Sequence, residues 1–213
     1  MRRRPENMQV IVCGPNRSGT SLMMRCLEMA GFKMAENLQL GDEGNIYGYY
    51  ESKRFKQLCL RAFDRWRLEE LKSDTPSNTL RYSPKKDLTR LLDKKGRWAW
   101  KYPWAVFVLD ELFEAAVNMI VIFMSRPKDY VIKSSIRHCK IRGVTPYPEK
   151  IYAQWYDLTL EAIKAYRHKK IKVNFLDLVE NEKMVMNEIL DFLGLETNYD
   201  CTAVDLREAH FKD

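Results

Sequence analysis

Residues 14–21 combine glycines, hydroxyls and one cation in a short run, Gly14-Pro-Asn-Arg17-Ser18-Gly19-Thr20-Ser21. The run has the length of the phosphate-binding loop G-x-x-x-x-G-K-[ST] and lies between a buried-strand pattern (8–13) and a helical pattern. In such a loop the backbone N–H groups and the positive end of the following helix face an anion. Glycine is needed because a Cβ would obstruct the close turn. The spacing therefore predicts a bound anionic group.

The cation of this loop departs from the nucleoside-triphosphatase pattern. Thr20 occupies the position of the usual lysine, and the cation lies three residues upstream, at Arg17. An ATPase needs that lysine to hold the β- and γ-phosphates. The charge of this loop is therefore directed at a different part of the bound anion.

The stretch GPNRSGTSLMMRCL resembles the 5′-phosphosulfate loop of sulfotransferases that use 3′-phosphoadenosine 5′-phosphosulfate (PAPS). In that family a cation precedes S-G-T-[ST] after the first strand. The resemblance implies that Arg17 lies near the oxygen that bridges phosphorus and sulfur. It also implies that backbone groups and hydroxyls of the loop hold the 5′-phosphate, namely those of Gly14, Ser18, Gly19, Thr20 and Ser21.

A second element supports this resemblance. The segment NMIVIFM (118–124) has the strongest strand pattern in the chain, Arg126 follows it, and Ser134 comes eight residues later. Family members carry an arginine at the end of this strand and a serine on the next helix, so the resemblance implies that Arg126 and Ser134 bind the 3′-phosphate. The chemistry agrees, because a guanidinium presents a planar fork to phosphate and serine adds a hydroxyl donor.

Three shorter matches extend the resemblance over most of residues 8–195. Residues 45–51 (NIYGYYE) resemble the N-P-x-G-Y-[FY]-E stretch of bacterial-type members, and residues 175–195 resemble their Y-E-D-L…F-L-G-L ending. Lys101-Tyr-Pro103 resembles the K-x-P turn. This last match implies that Lys101 approaches the transferring sulfuryl group.

The general base is a separate question. Several cytosolic members carry a histidine two residues after the lysine, and Pro103 occupies that position here. A histidine base at that place is therefore excluded. Glu51 is the candidate base, since carboxylates serve this role in other members. The alternative is that Glu51 only begins a helix over 51–71, where a carboxylate suits the positive end of the dipole.

These matches imply a sulfotransferase that moves the sulfuryl group from PAPS to a hydroxyl or amine and releases 3′-phosphoadenosine 5′-phosphate (PAP), with no metal required. The expected acceptor is a small molecule, a sugar or a peptide. Aromatic residues that are candidates for lining its pocket are Tyr47, Tyr49, Tyr50, Trp66, Trp98, Trp100 and Trp104.

Two other functions stay open at this point. A P-loop ATPase or kinase is suggested by AVFVLDE (105–111), which imitates a Walker B strand carrying Asp110 and Glu111. The same residues fit a period of 3.6 with Pro103 just upstream, and this pattern favours a helix. The second alternative is a non-catalytic protein that binds anionic nucleotides.

Composition limits the class of protein. The chain has 213 residues, 46% of them apolar, and a net charge of +7, which favours an ordered chain with an anionic partner. Nucleic acid is not expected as that partner, because no interleaved aromatic and basic motif is present. Five widely spaced cysteines without a C-x-x-C pair predict reduced thiols. With neither a signal peptide nor a membrane segment in evidence, a cytoplasmic protein is expected.

The order of elements predicts the fold. Strand patterns at 8–13, 98–101, 118–124 and 172–176 alternate with helical patterns at about 20–30, 51–71, 105–116, from about 127, 148–168 and up to 193. This alternation predicts a three-layer α/β/α fold with a mostly parallel central sheet, like that of the P-loop-containing nucleoside triphosphate hydrolases. One domain over 1–213 is expected, with 1–7 and about 200–213 as peripheral tails.

Overall fold

The structure is a computed structural model that describes residues 7–43, 45, 48–70, 84–116, 118–200 and 203. Its centre is a five-stranded sheet in which every neighbouring pair is parallel, with the order β2-β3-β1-β4-β5. The strands are β1 (Met8–Cys13), β2 (Lys33–Met34), β3 (Arg97–Lys101), β4 (Met119–Ser125) and β5 (Lys170–Asn174).

Helices connect these strands and cover both faces of the sheet. A 3₁₀ helix over Pro103–Val108 follows β3 directly. The α-helices are α1 (Thr20–Met29), α2 (Lys53–Glu70), α3 (Lys85–Leu92), α4 (Leu109–Ala115), α5 (Lys128–Ile141), α6 (Glu149–Ala165), α7 (Phe175–Glu180) and α8 (Glu182–Leu193).

The two faces of β1 belong to two apolar cores, because successive side chains of a strand point in opposite directions. Val10 and Val12 pack into the core formed with α1 and α8, whereas Ile11 and Cys13 pack into the core formed with α2, α3, α4 and the 3₁₀ helix. All six residues of β1 are buried. Burial on both faces explains why five of the six residues of β1 are apolar, a pattern typical of parallel sheets. The predicted three-layer α/β/α fold is confirmed.

Several predicted boundaries need correction. The predicted helix over 105–116 divides into the 3₁₀ turn and α4, and the Walker B interpretation as a strand is wrong, because Asp110 and Glu111 lie in the first turn of α4. The predicted strand 172–176 ends at Asn174, whose side chain accepts a hydrogen bond from Leu176 N–H at 3.1 Å and caps α7. Strand β2 and helix α3 were not predicted.

The predicted tails are described only in part. Asn7 is exposed and its side-chain oxygen accepts a hydrogen bond from Gly96 N–H at 2.8 Å. In the C-terminal tail, Ala203 is buried and its N–H donates to Glu182 at 2.7 Å, so this residue packs on the fold. Within the described part of the chain no helix is long and apolar enough to cross a membrane.

Candidate active site

The residues predicted to do chemistry lie at the carboxyl edge of the sheet. Val12 of β1 pairs with Lys101, the last residue of β3, and Cys13 pairs with Phe123 of β4. The loop after β1 and the turns after β3 and β4 therefore leave the sheet side by side. Ligands of open parallel sheets bind in the crevice outside these strand ends.

The loop after β1 approaches its neighbours too closely for side chains at its two glycines. A Cβ on Gly14 would lie 2.3 Å from the carbonyl oxygen of Met124, and one on Gly19 would lie 2.2 Å from the Phe175 ring. Gly14, Gly19 and Arg17 all have positive φ, at 144°, 92° and 68°. The Oγ of Ser18 is buried without a hydrogen-bond partner. Such a loop, ending at the start of α1, has the properties of an anion-binding turn.

Gly19→Ala is expected to destabilise the protein by more than the ~1 kcal/mol of a left-handed alanine alone, because the new methyl group would collide with Phe175. Gly143→Ala is the matched control, since Gly143 also has positive φ and has nothing within 4 Å of its Cβ position. Urea unfolding of both variants measures the difference. Equal losses of unfolding free energy would contradict this close packing.

Arg17, Ser134 and Arg126 form one connected group. The Nε of Arg17 donates to Ser134 Oγ at 3.3 Å, and Nη1 of Arg126 donates to the Arg17 carbonyl oxygen at 3.3 Å. The pKa of Arg126 is lowered, first by burial and then by the charge of Arg17. Two guanidinium groups are thus held near each other at a cost that a bound anion would offset. The structure brings together the residues predicted for the 5′- and 3′-phosphates.

Lys101 and Glu51 form a buried ion pair beside the loop. The Nζ of Lys101 lies 2.8 Å from Glu51 Oε1, 2.8 Å from the Tyr49 carbonyl oxygen and 3.4 Å from Ser21 Oγ. The Lys101 side chain is 3% exposed. Burial lowers the pKa of Lys101, and the charge of Glu51 opposes this shift. Lys101 therefore joins the phosphate loop to the 45–51 segment.

Glu51 does not begin the following helix. Helix α2 starts at Lys53, and the Ser52 hydroxyl accepts from Phe55 N–H at 3.5 Å. The second oxygen of Glu51 lies 3.4 Å from Lys56 Nζ. The contacts of the Glu51 carboxylate are therefore with lysines of the site rather than with the helix terminus.

A polar network next to this ion pair was not predicted. The Tyr49 hydroxyl donates to Asp42 at 2.7 Å and lies 3.4 Å from His138 Nε2, while Arg142 Nε lies 3.4 Å from Asp42. Asn45 Nδ2 donates to Ser21 Oγ at 3.2 Å. One signal was available in the sequence: His138 follows Ser134 by four residues, which is one helical turn.

Lowering the pH below 6.5 is expected to destabilise the protein through His138. Burial and then the charge of Arg17 lower the pKa of His138 from 6.5. Between its pKa in the folded chain and 6.5 the unfolded chain binds more protons, so stability falls as pH falls through this window. Urea unfolding across the window should show a weaker pH dependence for His138→Gln than for the unchanged protein. Identical slopes would contradict this role.

Most of these groups, among them Arg17, Glu51, Lys101 and Arg126, line one cavity of about 1000 Å³. Among the predicted aromatic residues, Tyr49 and Trp104 line it. The Tyr50 hydroxyl instead donates to Glu28 at 2.8 Å, and Trp98 stacks on buried Trp100 with ring centroids 5.9 Å apart. Tyr47 and the side chain of Trp66 lie outside the described residues. Further lining residues not predicted from sequence are Tyr102, Tyr130, Tyr147, Tyr152, Trp155 and Tyr156.

Metal-binding groups are not clustered in the part of the chain that the structure describes. No set of three or more His, Cys, Asp or Glu side chains there is arranged to hold a metal ion. The charged side chains in contact with the loop residues or with each other include the cations Arg17, Lys101 and Arg126 and the carboxylate of Glu51.

Comparison with known proteins identifies the class. The sequence profile of the sulfotransferase family matches residues 9–199, so the chain belongs to the sulfotransferase family. No curated protein matches the chain.

Solved structures agree in fold. The sulfotransferase domain from the Synechococcus PCC 7002 olefin synthase is 18% identical, with a TM-score of 0.57 over 96% of this chain and 81% of that one. A sulfotransferase from Alicyclobacillus acidocaldarius is 15% identical, with a TM-score of 0.55 over 95% and 89%. The sulfotransferase domain from the curacin biosynthetic pathway is 16% identical, with a TM-score of 0.53 over 94% and 80%. At these identities the likeness shows the fold.

Proposed function

We propose that the protein transfers the sulfuryl group of PAPS to a hydroxyl or amine of an acceptor. The observation that carries this proposal is the position of Lys101, whose Nζ lies 2.8 Å from Glu51 and 3.4 Å from Ser21 of the loop. A cation for the transferring group, a carboxylate for the acceptor proton and a hydroxyl for the donor thus meet at one point of the cavity.

The loop fits a 5′-phosphosulfate. Backbone N–H groups where the loop enters α1 at Thr20, the unpartnered Ser18 hydroxyl and the hydroxyls of Thr20 and Ser21 can donate to an anion. Arg126 and Ser134 would hold the 3′-phosphate, and their contacts with Arg17 keep both phosphate positions on one side of the cavity. Burial and then the charge of Arg17 lower the pKa of Arg126, and an anion bound beside these two cations would offset both effects.

The transfer is a displacement at sulfur. The acceptor oxygen or nitrogen forms a bond to sulfur while the bond from sulfur to the phosphate oxygen breaks, and the electron pair of that bond stays on the phosphate oxygen. Arg17 stabilises the charge on the departing oxygen, and Lys101 stabilises the sulfuryl oxygens. The acceptor proton passes to the Glu51 carboxylate, the base that we propose on its 2.8 Å contact with Lys101.

The proposal is tested by turnover of PAPS in buffer containing a metal chelator. PAP release is measured by chromatography with acceptors from three classes: 2-naphthol, N-acetylglucosamine and a tyrosine-containing peptide. We expect PAP to form with at least one of them and without added metal. PAP binding without transfer to any acceptor would indicate a non-catalytic nucleotide-binding protein. Phosphate release from ATP that requires Mg²⁺, with no turnover of PAPS, would contradict the proposal.

A further inference from the structure

One side of the cavity is formed by aromatic rings, which we call the aromatic wall: Trp104, Tyr147, Tyr152 and Trp155. Trp155 is at its centre, with ring centroids 5.7 Å from Trp104, 5.5 Å from Tyr147 and 6.0 Å from Tyr152. The interplanar angles of these three pairs are 65°, 73° and 87°. Such edge-to-face packing holds each ring in a fixed orientation.

The aromatic wall begins beside the proposed catalytic lysine. Trp104 belongs to the 3₁₀ helix that follows β3, three residues after Lys101. The other three rings come from α6 and the segment just before it. Lys101 and the four rings line the same cavity, so a ligand in this cavity can meet both.

Two tyrosine hydroxyls on this side of the cavity, those of Tyr152 and Tyr156, are engaged within the protein. The Tyr152 hydroxyl accepts from the backbone N–H of Tyr147 at 3.1 Å and lies 3.4 Å from Cys139 Sγ. The neighbouring Tyr156 hydroxyl donates to the Arg126 carbonyl oxygen at 2.9 Å. These hydroxyls are thus not presented to the several hydroxyl groups of a sugar. The surface offered by the wall is mainly ring face and ring edge.

The outer end of the wall is open to solvent. Tyr147 is 59% exposed, and Ile141, which also lines the cavity, is 41% exposed. Apolar surface at the mouth of a cavity is typical of a ligand-binding site. A ligand lying against the wall would cover these side chains.

We infer that the acceptor carries its hydroxyl on a flat aromatic ring system and that the aromatic wall binds this ring. The inference rests on the proposed function, since it places the hydroxyl at Lys101 and Glu51. The aryl oxygen forms the new bond to sulfur, its proton goes to Glu51, and the phosphate oxygen of PAPS leaves with the electron pair. The substrate class is therefore a phenol or a fused aromatic alcohol such as a naphthol.

The test compares two alcohols of equal carbon skeleton on the full chain saturated with PAP. We expect 2-naphthol to bind about tenfold more tightly than its saturated analogue decahydro-2-naphthol, because only the aromatic compound gains ring–ring contacts. N-acetylglucosamine should bind more weakly than both. Calorimetric titration measures the three dissociation constants.

Tyr147→Ala is the variant that tests the wall with little risk to folding, because the side chain is exposed and its hydrogen bond to Tyr152 uses the backbone N–H. We expect it to weaken 2-naphthol binding several-fold and to leave the dissociation constant of PAP within about twofold. Leu158→Ala, at a half-exposed position of helix α6 outside the lining of the cavity, is the control and should change neither value.

Three outcomes would overturn the inference: equal affinity for both alcohols, tighter binding of the sugar, or a loss of PAP affinity in Tyr147→Ala, which would assign the wall to adenine. These results are distinct from failure of the proposed function. If PAP itself does not bind, the donor assignment is wrong. If PAP binds and 2-naphthol shows no preference, only the acceptor class is wrong.

Discussion

Replacing Arg17 with alanine is expected to slow acceptor-dependent turnover of PAPS by about a hundredfold, the loss typical of removing one positioned donor from a charge-stabilising site. Arg17 links the loop to Ser134 and accepts the contact from Arg126 on its carbonyl oxygen. The hydrogen bond from Arg126 to the backbone carbonyl of residue 17 does not need the arginine side chain, so the loop should keep its conformation. Initial rates of PAP release, measured with an acceptor that supports turnover, give the effect.

Two further variants define what the Arg17 result means. Arg90→Ala removes an exposed cation from helix α3 and should leave the rate unchanged, which controls for net charge. Arg17→Lys keeps a charge but loses the planar fork, so it should recover only part of the rate. Near-normal turnover in Arg17→Ala would contradict the role proposed for this guanidinium.

Replacing Lys101 with methionine is expected to cost about 3 kcal/mol in unfolding free energy and most of the activity. The substitution leaves the buried Glu51 carboxylate without its 2.8 Å partner, and breaking a buried ion pair from one side typically carries this cost. The loss of activity has a separate cause, namely removal of the cation at the sulfuryl group. Urea unfolding and PAP release measure the two effects independently.

The double variant Lys101→Met/Glu51→Gln separates these causes. Removing the carboxylate charge, which in the single variant keeps only the Lys56 contact at 3.4 Å, should restore part of the lost stability, because a neutral amide is less costly to bury. Activity should stay low, since neither the cation nor the base is restored. A double variant that recovers turnover together with stability would show that the ion pair supports only the fold.

The single variant Glu51→Gln should alter the pH–rate profile, and an unchanged profile would exclude Glu51 as the base.

The part of the site that was predictable from sequence depends on strand ends. The loop after β1, Lys101 at the end of β3 and Arg126 just after β4 each follow an apolar run by a fixed short distance. In a parallel sheet these ends meet at one edge. The local sequence pattern was therefore enough to predict that these residues lie close together. The observed contacts among Arg17, Ser134 and Arg126 agree with that prediction.

The rest of the site depends on contacts between distant segments. Tyr49 and His138 are 89 positions apart in sequence and in contact in the structure. A local sequence periodicity cannot predict such a contact. Of the aromatic wall only Trp104 was predicted, because Tyr152 and Trp155 on α6 have the spacing of an ordinary helix face. Trp100 was expected near the pocket, yet it is 2% exposed and its indole N–H donates to Gln9 at 2.8 Å. A strand buried on both faces places such a ring in the core.

The predicted ends of helices and strands were wrong where contacts of only a few atoms determine them. Strand β2 has only two residues, too few to show alternation. The start of α7 is set by the Asn174 side chain, which caps Leu176 N–H, so Phe175 leaves the predicted strand and packs against Gly19 of the loop. The fold class did not depend on these details, because the order of the longer strands and helices was enough to define it.

Thermal unfolding of the full chain with PAP, compared with ATP and Mg²⁺, tests the central claim most directly. A ligand that binds only the folded chain raises its unfolding temperature. We predict that PAP raises the unfolding temperature without metal and that 5′-AMP, which lacks the 3′-phosphate, raises it less, because Arg126 and Ser134 then have no phosphate to hold. Stabilisation by ATP with Mg²⁺ and none by PAP would contradict the assignment of this site to PAPS.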